Sequence, residues 1–97
     1  MIKDYTIKLL LVDDDEDDFY LTSDYLKDIQ GQSFEIDWAY SFDNALEKIK
    51  EKTYDLCFFD FLLGAKTGLD LLKIGAARGL KSPVILLTGK GDQRIDV

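Results

Sequence analysis

Two observations predict an α/β fold with a mostly parallel sheet. Three nearly continuous apolar runs, residues 7–12, 56–59 and 83–87, each stop abruptly at acids or at a hydroxyl. Between them lie segments whose apolar residues recur at helical spacing. Runs of this kind are strands buried on both faces, as parallel strands are. Strict alternation of strand and helix implies right-handed crossovers. The order reads β-α-β-α-β-α-β.

Each element has its own warrant. Residues 7–12 (Ile-Lys-Leu-Leu-Leu-Val) form the first buried strand. Residues 16–29 form a helix, with Leu21, Tyr25 and Ile29 recurring every fourth position and Phe19 and Leu26 beside them. Thr22 and Ser23 interrupt that stripe, and Gln30-Gly31 stops the helix. Residues 34–39 alternate apolar and polar, as an edge strand does. Ser41 caps a second helix carrying Phe42, Ala45, Leu46 and Ile49. Residues 54–59 make another buried strand, and 61–68 read as a loop. A third helix places Leu69, Leu72 and Ala76 on one face and ends at Gly79. Pro83 opens the last strand, 84–87, a position proline tolerates. Asp92 can cap one further helix.

Composition narrows the function. Ninety-seven residues make one small domain. A net charge of −7 argues against binding to a nucleic-acid backbone, since no basic stripe is present to displace counterions. No apolar stretch reaches the roughly 18 residues of a membrane span. Residues 1–5 carry no signal-peptide pattern, and Cys57 is the only cysteine. Within its apolar run it reads as a small packed hydrophobe in a reducing, cytoplasmic compartment. The absence of histidine removes the commonest general base and transition-metal ligand, so any metal should be hard and oxygen-loving.

The informative residues sit at the strand ends. The first run ends in Asp13-Asp14-Asp15-Glu16-Asp17-Asp18, the second in Asp60, the third in Thr88-Gly89. In a parallel sheet these ends share one edge, where ligand sites form. Carboxylates gathered there repel, and a divalent cation relieves the repulsion. Asp13, Asp14 and Asp60 can supply oxygens to Mg²⁺. Aspartate is a covalent nucleophile toward phosphoryl groups. A phosphoryl group on Asp60 would bring charge of roughly −1.5 to −2. The Thr88 hydroxyl can bond to it, and Gly89 leaves room for it. Asp17 and Asp18 are better read as first-turn acids favoured by the helix dipole. Trp38 and Tyr40 read as packing residues, and Leu62-Leu63 as loop packing whose exposed part can serve a partner.

The motifs Leu10-Leu11-Val12-Asp13-Asp14, Leu56-Cys57-Phe58-Phe59-Asp60 and Pro83-Val84-Ile85-Leu86-Leu87-Thr88-Gly89, with Gly68 eight residues after Asp60, resemble the receiver domain of two-component response regulators. The resemblance implies a flavodoxin-like α/β three-layer sandwich with strand order 2-1-3-4 over the four strands present. It implies that Asp60 accepts a phosphoryl group from a histidine kinase or phosphotransfer protein. It implies Mg²⁺ held directly by Asp14, Asp60 and the Leu62 backbone carbonyl, with Asp13 acting through water. Thr88 becomes the switch hydroxyl, with Gly89 beside it. Two departures carry expectations. Gly64 stands where the family often has proline, which implies a looser loop. The family's fifth strand, with its switch aromatic and lysine, has no counterpart, and Lys90 does not match that lysine. Residues 1–97 are therefore expected to be a receiver fragment, lacking the fifth strand and last helix. The apolar edge of the fourth strand is then expected to pair two copies into a homodimer.

Rival readings follow from the same acids. A haloacid-dehalogenase-like phosphohydrolase would use Asp13-x-Asp15 with Thr88, modifying Asp13 rather than Asp60. A calcium loop would use Asp13, Asp15, Asp17 and Asp24. A pseudo-receiver would keep the fold as an interaction module without phosphotransfer. The receiver reading makes the chain a switch whose only catalysis is its own phosphorylation and hydrolysis.

Overall fold

A computed structural model describes residues 5–87. Thr88, Gly89, Lys90 and the helix expected from Asp92 lie outside the described residues.

Strand β1 (Thr6–Val12) is buried from Leu9 onward. Helix α1 (Glu16–Lys27) begins at Asp15, whose carboxylate accepts the backbone N–H groups of Asp17 and Asp18. Glu16, Asp17 and Asp18 fill its first turn, complementing the dipole as expected. Its inward face matches the expected one only in part: Phe19 and Leu26 pack on the sheet as expected. Leu21, Tyr25 and Ile29 are 53%, 67% and 49% exposed, whereas Ser23 and Leu26 are buried and Phe19 stacks on Trp38. Ile29 also lies beyond the helix end. The exposed row is the more regular one, but the sheet selects the row that completes its own surface.

Strand β2 (Ser33–Ala39) alternates as an edge strand should. Helix α2 (Phe42–Glu51) starts at Ser41, whose hydroxyl accepts the Asn44 N–H at 3.0 Å, and buries Phe42 and Ala45. Strand β3 (Leu56–Asp60) follows. The segment expected to be a loose loop is a small hairpin, β4 (Leu62–Leu63) paired antiparallel with β5 (Lys66–Thr67). Gly64 turns it at φ +66°, which the proline ring cannot adopt. Leu63 is buried and Leu62 exposed, so only the first of the pair faces outward. Helix α3 (Gly68–Ala77) opens with a reciprocal cap: Thr67 Oγ1 accepts the Asp70 N–H, and the Asp70 carboxylate accepts the Thr67 N–H. Its buried row is Gly68, Leu71 and Gly75, with Leu72 partly buried. Leu69 and Ala76, expected inside, are exposed. Glycines leave no apolar mark in the sequence, yet Gly68 lets the helix start against the sheet and Gly75 makes room for Leu80 and Ile49. Strand β6 (Val84–Leu87) completes the order.

The main sheet is parallel, in the order β2-β1-β3-β6. Alternation along β1 divides the core in two. Leu10 and Val12 join Phe42, Ala45, Cys57, Phe59 and Leu71 beneath α2 and α3. Leu9 and Leu11 join Leu26, with Phe19, Phe34, Ile36 and Phe58, beneath α1. This is the three-layer α/β sandwich expected, with strand order 2-1-3-4 when the hairpin is left out. Cys57 is fully buried, and burial pushes its thiol up to about 11. No helix among the described residues is long and apolar enough to cross a membrane.

Candidate functional site

The strand order reverses direction between β1 and β3, the first running on to β2 on one side and the second to β6 on the other. A crevice opens at the C-terminal ends of strands at such a point. Val12 pairs with Phe59, so the next residues along the two strands are Asp13 and Asp60. Both are 2% exposed. Asp14 follows on the exposed side. One carboxylate oxygen from each of Asp13, Asp14 and Asp60 lies within 4.8 Å of the others, so the three can hold a metal ion. Two full charges at that separation repel by about 3 kcal/mol at an effective dielectric of roughly 20. A hard cation offsets this, and an all-carboxylate set suits Mg²⁺ or Ca²⁺ rather than zinc or copper.

The backbone fixes the acids. The Asp13 N–H donates to Ala39 O at 3.0 Å, its carbonyl accepts the Trp38 indole N–H at 2.8 Å, and its Oδ1 accepts the Asp15 N–H at 3.0 Å. Beyond Asp60, the Phe61 N–H donates to Leu87 O at 2.9 Å and the Gly68 N–H to Phe61 O at 2.7 Å. A Cβ at Gly68 would fall inside the van der Waals contact of the Asp60 carbonyl oxygen, so glycine lets α3 begin directly against the end of β3. A pocket of about 210 Å³ opens here, lined by Asp13, Asp18, Leu21, Thr22, Asp60 and Leu87.

Asp13, Asp14 and Asp60 are thus brought together as the sequence suggested. Leu62 opens the adjoining hairpin. Thr88 and Gly89 fall outside the described residues. Asp15 is engaged as the cap of α1, which removes it from the Asp13-x-Asp15 pair of a phosphohydrolase. Asp17 and Asp24 lie on α1, following a strand, which removes the calcium loop. Sequence reasoning missed Thr22, Asp18 and Trp38 at the site. Thr22 had left a signal, since a polar residue in an apolar stripe often faces a pocket rather than the core.

A second polar cluster lies away from these acids. The Tyr54 hydroxyl donates to Asp37 Oδ2 at 2.7 Å, and Lys52 Nζ meets the same oxygen at 3.0 Å. Burial alone would raise the Asp37 carboxyl, but the hydroxyl and the ammonium together hold it below its usual value. Burial, then the carboxylate, push the Tyr54 phenol up.

An open α/β sheet with helices on both faces and a carboxylate triad at its point of reversal defines a receiver-type signalling domain. The chain belongs to the response regulator receiver domain family, whose profile matches residues 9–97. It is 33% identical over 84 residues to the transcriptional regulatory protein DltR of Streptococcus agalactiae serotype III (strain NEM316). That match covers 87% of this chain and 36% of DltR, so the chain spans about a third of the relative's length. The response regulator TrrA of Thermotoga maritima, solved in complex with Mg²⁺-BeF, is similar at TM-score 0.76 and 28% identity, covering 94% of this chain and 76% of that one. A CheY-like receiver domain from Methylobacillus flagellatus shares the fold at TM-score 0.79 and 21% identity, covering 95% and 90%.

Proposed function

We propose that Asp60 is the phosphoacceptor of a Mg²⁺-dependent two-component switch. One observation carries the reading: a nearly inaccessible aspartate ends a central strand beside Asp13 and Asp14, at the point where the strand order reverses. A carboxylate oxygen of Asp60 attacks the phosphorus of a phosphohistidine on a histidine kinase or phosphotransfer protein. The new O–P bond forms as the donor's P–N bond breaks, and the released imidazole nitrogen takes up a proton. Water later attacks the same phosphorus and returns the carboxylate. Asp14, Asp60 and the Leu62 backbone carbonyl would hold Mg²⁺ directly, with Asp13 acting through water. The ion supplies positive charge against the phosphoryl oxygens. Burial of Asp60 at the floor of the pocket restricts water, which slows hydrolysis. Thr88 and Gly89 receive the phosphoryl oxygens in this reading. The similarity to TrrA, solved with Mg²⁺-BeF, supports the same assignment.

The setting is cytoplasmic, and the chain turns over no separate substrate. Its net charge of −7 argues against nucleic-acid binding by this chain. Strand β6 is outermost among the described strands and exposes Ile85, which supports pairing of two copies along that edge. The test of the main reading is intact-mass analysis after incubation with a small phosphodonor and Mg²⁺. Gain of one phosphoryl group, lost in Asp60→Asn, is the expected result. A folded, Mg²⁺-loaded protein that gains none is a pseudo-receiver.

A further inference from the structure

Trp38 does more than pack. Its partner in β1 is Leu11, so both side chains face α1. There the indole stacks on Phe19, ring centres 4.7 Å apart and planes 15° from parallel, and meets Tyr40 edge-on at 6.1 Å. This leaves the ring one orientation, with its N–H donating to the Asp13 carbonyl at 2.8 Å. Contacts close a circuit that starts and ends on one residue. Asp13 Oδ1 accepts the Asp15 N–H, Asp15 O accepts the Phe19 N–H, Phe19 stacks on Trp38, and Trp38 returns to Asp13.

We propose that Trp38 is a positioning residue for the metal-binding carboxylates. A peptide unit is planar, so holding the Asp13 carbonyl also fixes the N–H and Cα direction of Asp14. Asp14 is the exposed member of the three carboxylates. The indole thereby sets where the Asp14 Cα, from which its carboxylate projects, stands relative to Asp13 and Asp60. Groups behind metal ligands commonly control affinity in this way. The inference rests on the Mg²⁺ site proposed above.

The experiment replaces the indole N–H and keeps the stack. Trp38→Phe does so approximately. A benzothiophene analogue of tryptophan, with sulfur in place of N–H, does so closely, and it labels one position because Trp38 is the only tryptophan. Mg²⁺ affinity is read by calorimetry, and thermal unfolding is read without metal. Both changes should weaken Mg²⁺ binding about five- to tenfold. The metal-free midpoint of the analogue protein should fall by only several degrees, the loss of one hydrogen bond, and the protein should stay folded at the temperature of the titration. Unchanged Mg²⁺ affinity in both, beside a parent that binds, overturns the role of Trp38 and leaves the metal site standing. A lowered midpoint with unchanged affinity of the folded protein makes the indole purely structural and overturns it equally. A parent that binds no Mg²⁺ removes the metal site and this inference together.

Discussion

Gly68→Ala sets two physical rules against each other. Helix propensity alone favours alanine over glycine by about 1 kcal/mol within a helix. The structure gives the opposite sign. A Cβ at Gly68 would overlap the Asp60 carbonyl oxygen and would stand 3.2 Å from both the Asp60 carbonyl carbon and Leu86 Cδ2. The main obstacle is backbone, and rotation of a side chain cannot clear it. Either α3 moves off the sheet or β3 shifts, and overpacking of this kind costs about 2–3 kcal/mol. For a domain of this size that lowers the melting midpoint by roughly 10–20 °C. Gly75→Ala is the matched control. Its Cβ would meet Leu80 Cδ2 at 3.1 Å, a side-chain tip that can turn aside, so the change should stay within about 1 kcal/mol. Thermal and urea unfolding followed by circular dichroism read both variants. A Gly68→Ala protein as stable as the parent would refute the claim that glycine is there to admit Asp60. Phosphorylation of a surviving Gly68→Ala protein should also slow, because the strain falls on Asp60, the proposed acceptor.

Other expectations concern the remainder of the molecule. The Asp37 carboxyl is held low when folded, so its contribution is complete above the ordinary carboxylate value of 3.8 and is lost as pH falls through the lower folded value. Asp37→Asn should therefore flatten the acid limb of the stability curve, and an unchanged limb would count against the ion pair. Tyr54→Phe removes a hydroxyl bonded to that carboxylate and should cost about 1–2 kcal/mol in urea unfolding at pH 7. Cys57, with its thiol pushed up to about 11, should resist disulfide reagents at pH 8 until the protein unfolds; rapid labelling of native protein would contradict its burial. Ile85→Lys should convert an edge-paired dimer to monomer in light scattering, and a parent that is monomeric at high concentration would remove the dimer.

The sheet was legible because buried parallel strands are nearly continuous apolar runs, and each strand matched its expected place within a few residues. The acids were legible because Asp13 and Asp60 directly follow such runs. The face of α2 was legible too, with Phe42, Ala45, Leu46 and Ile49 all on the core, but those of α1 and α3 were legible only in part. The row Leu21-Tyr25-Ile29, whose last member lies beyond the end of α1, is the more regular, yet it is exposed, because a stripe records which residues are apolar and not which row the sheet requires. On α3 the inward row is built from Gly68 and Gly75, whose value lies in missing atoms. The link from Trp38 to Asp13 spans 25 positions and exists only once β2 lies in register beside β1. The hairpin at 62–67 was hidden because two residues per strand are too few to show alternation.

The two faces of the sheet are unequally covered. Beneath α2 and α3 lies the broader cluster of buried side chains, whereas α1 alone among the described helices covers the other face. Its inner surface includes the buried Ser23 hydroxyl, which has no hydrogen-bond partner among the described residues. Free energies of local opening follow such differences in burial. Backbone amides of α1 should therefore exchange with solvent ahead of those in α2 and α3. Since Asp18, Leu21 and Thr22 belong to that helix, the wall of the pocket would open before its floor, with Asp60 still held in the central strand.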